Sequence, residues 1–383
     1  MEKRHQDENL FSLLNSLLKA FKELKSSCNP IIFALYCSSS DCFFALQTLI
    51  PQTEKFLQLR NQPQLSKSAL LLRELTDLIN TERSIRGFTF PSVLHRHFIG
   101  YQIYQVSTAM ESEIQGFLDR EIVKRIRSSF LVYEDGECVG DFKVTALREL
   151  EKRVDCKFDG NLQETILKGK VFGLLEKMLS DPGYNTTVKE QAAACVLALV
   201  RFNKDVFCEM VLMGSIIPDL ISMASSCSIG ILASLMKLIQ TPLIDEIERR
   251  GGIKKIVSLF ETEGVTLRMR VIDCLYEIAY MGRSEAVKEL LELRIVEKLI
   301  DLQRAEGLGY EEGAFEDEEV LTSETRWLDC VSRLAIQVQI GQGLSRKEKR
   351  MMKFDILERI KEASKSEAEA MNIISEVLWG PFY

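Results

Sequence analysis

The sequence predicts an all-α chain, with a helical bundle in its first third and an α-solenoid behind it. Three observations lead there. Apolar residues in the first third recur at alternating three- and four-residue intervals, the mark of amphipathic helices. Only 8 prolines occur in 383 residues, which favours helices over turn-rich β structure. And beyond residue 140 the chain repeats itself at about 40 residues, a period that belongs to stacked helical units.

The bundle is expected over residues 1–130. Leu10, Leu13, Leu14, Leu17, Leu18, Phe21 and Leu24 lie on one face of a first helix. A second is expected from Cys42 to Leu59, bent at Pro51, a third from Leu65 to Ile79, and a long fourth from about Pro91 to Arg127. The polar, glycine-containing stretch Tyr133–Gly140 interrupts the pattern and is the expected domain boundary.

The array is expected over residues 140–383. Ala194-Cys195-Val196-Leu197-Ala198-Leu199-Val200 aligns with Asp273-Cys274-Leu275-Tyr276-Glu277-Ile278-Ala279 and with Asp329-Cys330-Val331-Ser332-Arg333-Leu334-Ala335. Ala233 to Ile239 fits between the first two. Small residues then fall at Cys195, Ser234, Cys274 and Cys330, at spacings of 39, 40 and 56. The last spacing is longer by about the length of an acidic insertion at 305–325. A second motif keeps step with the first: Ile217-Pro-Asp-Leu220-Ile221-Ser-Met223, Ile253-Lys-Lys-Ile256-Val257-Ser-Leu259 and Val296-Glu-Lys-Leu299-Ile300-Asp-Leu302. Two helices at fixed separation, repeated, cannot bury their apolar faces alone and must stack.

The string Val188-Lys-Glu-Gln-Ala-Ala-Ala-Cys-Val-Leu-Ala-Leu199, followed by Gly214-Ser-Ile-Ile-Pro-Asp-Leu-Ile221, resembles an armadillo repeat. Residues 187–304 carry three such units, with degenerate caps at Val144–Leu179 and from Trp327 to about Ala363. The resemblance implies a right-handed superhelix in which an alanine-rich second helix precedes a glycine-initiated third helix that lines a concave groove. A helical region ahead of such an array is similar in layout to plant proteins that join armadillo repeats to a U-box ubiquitin-ligase module. The U-box itself is not recognisable: Cys28-Asn-Pro-Ile-Ile32 is the nearest segment, and nothing after it continues the module. The groove asparagines and tryptophans of importin-type armadillo proteins are missing as well.

Charge and chemistry narrow the function. Net charge is −7, but the eight carboxylates between Glu306 and Thr325 account for more than all of it. Nucleic acid is therefore not expected near that segment. Ten scattered cysteines form no Cys-x-x-Cys pair, and no apolar run approaches the ~20 residues that cross a bilayer. A soluble cytoplasmic or nuclear protein is expected.

Gly251-Gly252-Ile253-Lys254-Lys255 lacks the Gly-Lys-Ser/Thr of a phosphate loop and reads as the turn into a helix. In Gly307-Leu-Gly309-Tyr-Glu-Glu-Gly313, phosphate would face Glu311 and Glu312, so a dinucleotide loop is not expected either. His95 and His97 stand two apart, on different faces of a helix, and do not make a metal pair. Cys195, Cys274 and Cys330 recur where the repeat requires a small residue, which makes packing their expected role. The run Ser345-Arg-Lys-Glu-Lys-Arg350 reads first as a solvated helix start and second as a nuclear-localisation or anionic-surface patch.

No catalytic, cofactor-binding or metal-binding set emerges, and no cofactor is expected. A non-enzymatic protein-interaction scaffold is the leading expectation, with a ubiquitin-ligase component as the alternative. Its partner would be a protein or extended peptide. Membrane contact through the basic run is a lesser alternative. The candidate contact strip consists of the non-core polar positions of the Leu/Ile motif: Asp219, Ser222, Lys254, Lys255, Ser258, Glu297, Lys298 and Asp301.

Overall fold

The computed structural model describes residues 12–23, 49, 51, 53, 66–84, 90–131, 137–156, 158–262, 264–307 and 329–379. Every regular element among them is helical. In chain order they are α1 (residues 12–23), α2 (Ser66–Ser84), α3 (Phe90–Leu131), α4 (Glu137–Val154), α5 (Gly160–Lys168) and α6 (Val171–Ser180). Then come α7 (Thr186–Phe202), α8 (Lys204–Met213), α9 (Ile216–Met223), α10 (Ser226–Ile239), α11 (Thr241–Arg249) and α12 (Gly252–Ser258), the last followed by a 3-10 turn, Leu259–Glu261. The chain ends with α13 (Val265–Met281), α14 (Ser284–Glu292), α15 (Ile295–Gly307), α16 (Cys330–Ile340), α17 (Arg346–Ala363) and α18 (Glu367–Trp379). The expected helix over Cys42–Leu59 and the acidic insertion fall almost wholly outside the described residues.

The helices gather into two compact units, Met1–Arg125 with Asp159–Gly169, and Ile126–Phe158 with Lys170–Tyr383. In the first, the leucine face of α1 is buried as its spacing requires. Leu14, Leu17 and Phe21 pack with Leu72 and Leu75 of α2 and with Ile103 and Met110 of α3. Each such side chain contributes roughly 1.5–3 kcal/mol when fully buried. The division falls inside α3, and the first residues of α4 lie within the expected linker Tyr133–Gly140. Helix α5 packs with the first unit, although the sequence assigned it to a cap of the array.

The second unit is an α-solenoid. Its long helices α4, α7, α10, α13 and α16 stack in succession, and the short helices α6, α9 and α12 form a second succession beside them. Local chemistry fixes the helix starts. Asn185 accepts the Val188 N–H at 2.9 Å and opens α7, and Ser225 with Ser228 forms a reciprocal capping box at α10. Alanines pay little steric cost where long helices meet, and Ala192, Ala193 and Cys195 are fully buried. The Cys195 thiol donates to Leu147 O of α4 at 3.1 Å, and Cys274 Sγ lies 3.6 Å from Ile229 O of α10.

Ser234 departs from the sequence alignment. It is half-buried, and its hydroxyl donates to Gly230 O in its own helix at 2.9 Å. The buried run Ser228, Ile229, Ile231, Leu232 matches Val271, Ile272, Cys274, Leu275, so the true register lies one helical turn earlier. Close approach is met instead at Gly230, where an added Cβ would stand 3.2 Å from Arg270 Cδ.

The turns into three of the short helices share a common form. Lys170 (φ 52°), Gly251 (φ 65°) and Arg294 (φ 59°) take the left-handed conformation just before α6, α12 and α15. Gly251 adopts it without strain; the other two carry a side chain there. Gly214 does not share this role, having φ −86° and ψ −169°, although the sequence pairs it with Gly251. Its lack of a side chain admits Glu176, whose Oε1 would lie 2.3 Å from a Cβ at that position.

No single described helix is long and apolar enough to cross a membrane; α8 and α9 pass only as a pair bent by 70°.

Two substitutions test this packing. Leu199, fully buried in α7, should not tolerate a charge, and Leu199→Asp is expected to abolish cooperative unfolding of the array in urea followed by circular dichroism. Gly343 approaches the Gly282 carbonyl so closely that a Cβ would meet it at 2.1 Å, and Gly343→Ala is expected to cost about 1–3 kcal/mol in the same assay.

Candidate partner-binding surface

The short helices bury one face and leave the other open because of the spacing of their apolar residues. In α12, Ile253, Ile256 and Val257 are buried, which turns Lys254, Lys255 and Ser258 outward. In α9 the buried set is Ile216, Ile217, Leu220 and Ile221, leaving Asp219 half-buried and Ser222 exposed. In α15, Val296, Leu299 and Ile300 are buried beside Glu297, Lys298 and Asp301.

The structure divides these eight positions into two sets. Asp219, Glu297, Lys298 and Asp301 are engaged within the chain. Asp219 Oδ2 accepts from Ser180 Oγ at 2.6 Å and from Ser215 Oγ at 2.8 Å, while the Ser215 N–H donates to Glu176 Oε1 at 2.6 Å. This polar cluster ties α6 to α9. Glu297 meets Arg294 at 3.2 Å and Arg359 of α17 at 3.9 Å. Lys298 pairs with Glu261. Asp301 pairs with Arg304 at 2.6 Å, and the same guanidinium grips Glu369 of α18 at 3.0 Å and 3.2 Å. Across the acidic insertion, Arg304 thereby fastens α15 to the last helix.

Ser222, Lys254, Lys255 and Ser258 are the open set. All four are exposed, and neither lysine ammonium makes a hydrogen bond or ion pair among the described residues. Ser258 Oγ donates only to Lys255 O, at 2.7 Å, within its own turn.

Beside them sits a contact that sequence reasoning missed. Arg250, the C-cap of α11, donates to Gly214 O at 2.8 Å and to Leu212 O at 2.9 Å, satisfying carbonyls at the end of α8 one repeat earlier. Its Nε also binds Glu246, which Arg249 holds as well. These guanidiniums, Arg249 first, lower the Glu246 carboxyl to about 2. The Arg-Gly-Gly order was the available signal, since an arginine at a helix C-terminus can reach orphan carbonyls.

The long-helix layer carries a different polar row. Gln191 donates to Glu151 at 2.6 Å, and Lys237 stands 3.7 Å from Glu277. Burial raises the Glu277 carboxyl, with Lys237 opposing it. The buried thiols have no nucleophilic character, because desolvation pushes Cys195 and Cys274 upward. His95 and His97 both lie exposed on α3. Among the described residues, no three His, Cys, Asp or Glu side chains converge on a metal-sized site.

Glu246 gives a pH signature. Its carboxyl titrates lower in the folded chain than in the unfolded one, so its contribution is present above roughly pH 4.3 and is lost as pH falls toward 2. Glu246→Gln is therefore expected to cost on the order of 1–2 kcal/mol at pH 7, and the difference from the parent should close as the pH is lowered toward 2, read from urea midpoints.

No family model matches the chain, and no curated protein matches it. Solved structures do. A designed armadillo repeat protein aligns with 68% of this chain and 99% of its own, at 14% identity and a TM-score of 0.43. A set computationally designed for modular peptide recognition aligns with 68% of this chain and 98% of its own, at 15% identity and a TM-score of 0.42. An engineered protein aligns with 97% of this chain and 83% of its own, at 16% identity and a TM-score of 0.43. The chain is similar to these designed arrays, and its own helix stacking makes it an all-α solenoid.

Proposed function

We propose that this chain is a non-enzymatic scaffold of the cytoplasm or nucleus that holds an extended protein segment along the outward face of its short helices. The observation that carries the reading is the state of Lys254 and Lys255. They are exposed, face away from the core that Ile253, Ile256 and Val257 build, and have no acidic partner in hydrogen-bond reach. Side chains that make no hydrogen bond or ion pair in the fold are available for recognition, and among the described residues only the Glu289 carboxylate of α14 lies near enough to Lys254 to attract it. Ser222 one repeat earlier and Ser258 beside them add hydroxyls to the same succession of helices. Repeated short helices present such groups at regular intervals, which suits an extended segment better than a compact ligand. The two ammonium groups select acidic residues in it. Asp219, Glu297, Lys298 and Asp301 act in this reading as the fastening that keeps the strip in register. Nothing among the described residues favours the ubiquitin-ligase alternative.

Panning a random-peptide library on the full chain tests the proposal. Acidic, extended sequences should be enriched, and Lys254→Glu with Lys255→Glu should weaken them roughly three- to tenfold while leaving the melting temperature in place. If Lys237→Glu on the long-helix layer abolished binding and the Lys254/Lys255 pair did not, the partner would lie on the other layer and the assignment would fail.

A further inference from the structure

The basic run at residues 345–350 gains a context in the folded chain that its sequence does not give. Ser345 and Glu348 close a reciprocal capping box at the start of α17, with the Ser345 N–H donating to Glu348 Oε2 at 2.8 Å. The single carboxylate of the run is thus committed to its own helix end. Glu348 is held below the usual carboxylate range first by Ser345, with Lys288 of α14 adding to it, which places a further cation beside the run. Lys288, Arg346, Lys347, Lys349 and Arg350 make no ion pair among the described residues, and Lys353 reaches only the Gln339 amide oxygen, at 3.0 Å.

Large apolar side chains collect at the same end. Lys353 bonded to Gln339 sets the first half of α17 against the end of α16, where Ile340 is 58% exposed. Phe354 and Met351 on the outer face of α17 are 63% and 54% exposed. Lys347, Arg350, Met351 and Phe354 stand at i, i+3, i+4 and i+7, one face of one helix.

This face of α17 pairs unmatched cations with exposed phenylalanine and methionine, beside the exposed Ile340 of α16. Nucleic acid would answer the cations and leave the aliphatic groups unused. An anionic bilayer surface answers both, since lysine and arginine meet headgroup charge while phenylalanine, methionine and isoleucine enter the headgroup–acyl boundary.

We propose that the first half of α17, with the adjoining end of α16, is a peripheral docking surface for membranes bearing anionic lipid. It is separate from the short-helix strip and stands whether or not that strip binds a peptide. The contact is interfacial, because no single described helix is long and apolar enough to span.

Flotation of the full chain with vesicles tests it. The chain should float with phosphatidylserine-containing vesicles, remain behind with pure phosphatidylcholine, and be released by high salt. Lys347→Glu with Arg350→Glu should reduce flotation at least tenfold, given about 1 kcal/mol for each basic residue near such a surface. Met351→Ala with Phe354→Ala should also weaken flotation. All four positions are exposed, and unchanged melting temperatures would show the chain intact. Absence of flotation, equal flotation with both vesicle types, or flotation indifferent to the charge reversals would overturn the proposal. So would a nucleic-acid duplex that binds the same cations and competes the vesicles away.

Discussion

The array depends on how closely its long helices approach one another. Each long helix must meet the next across a face with little side-chain bulk, and everything else in the repeat accommodates that distance. Between α4 and α7 the fit is made by Ala192, Ala193 and Cys195, whose thiol reaches the Leu147 carbonyl of the neighbour. Between α10 and α13 it is made by Gly230 and Cys274. At the end of α13 two backbones nearly touch, and Gly282, Gly341 and Gly343 are there because no Cβ fits; the Gln342 N–H donates to Tyr280 O at 2.7 Å. A buried cysteine at such a contact is a small apolar group with one weak donor to spend on a carbonyl. That explains why thiols recur along this stack.

Stacking then creates an end problem that each repeat solves electrostatically. Short helices leave orphan carbonyls and amides at every junction, and those groups need partners from a neighbouring unit. Arg250 supplies two hydrogen bonds to the end of α8, Glu176 receives the Ser215 N–H, and Arg304 joins α15 to α18. These contacts run between units, so they set register more than they add stability. Their charges are largely consumed in doing so. A polar residue on the surface of a repeat is therefore poor evidence of a binding site until its partner has been identified.

That distinction marks the limit of what the sequence made legible. Helix class, the two-helix motif and the buried aliphatic positions were readable because burial imposes a period, and periods survive in a string of letters. Register was readable only where the small residue was a cysteine. In α10 the small residue is Gly230, one position ahead of Ile231, and Ser234 took its place in the alignment by resemblance alone. Gly214 and Gly251 were likewise equivalent by spacing, yet one is extended to admit Glu176 and the other is left-handed to turn the chain. Glycine records that a side chain is forbidden, and does not record whether conformation or a neighbour forbids it.

The candidate strip shows the same limit from the side of function. All eight polar positions were found from the hydrophobic pattern, because a residue that is not core must face outward. Which of them stay available was decided by residues far away in the chain. Ser180 stands 39 positions from the aspartate it binds, and Glu369 stands 65 from Arg304. No local pattern encodes those pairings; they follow from stacking, which brings successive units to a fixed offset. Once four of the eight are bound in this way, the remaining polar surface of the short helices is concentrated on α12 and the end of α9. Any segment held there must be read by two lysines and two serines, so charge and extended backbone would select it more than shape. Under the proposed function, a scaffold built this way would distinguish partners by the placement of a few acidic residues, and its specificity would depend on the same interunit contacts that keep those few groups in line.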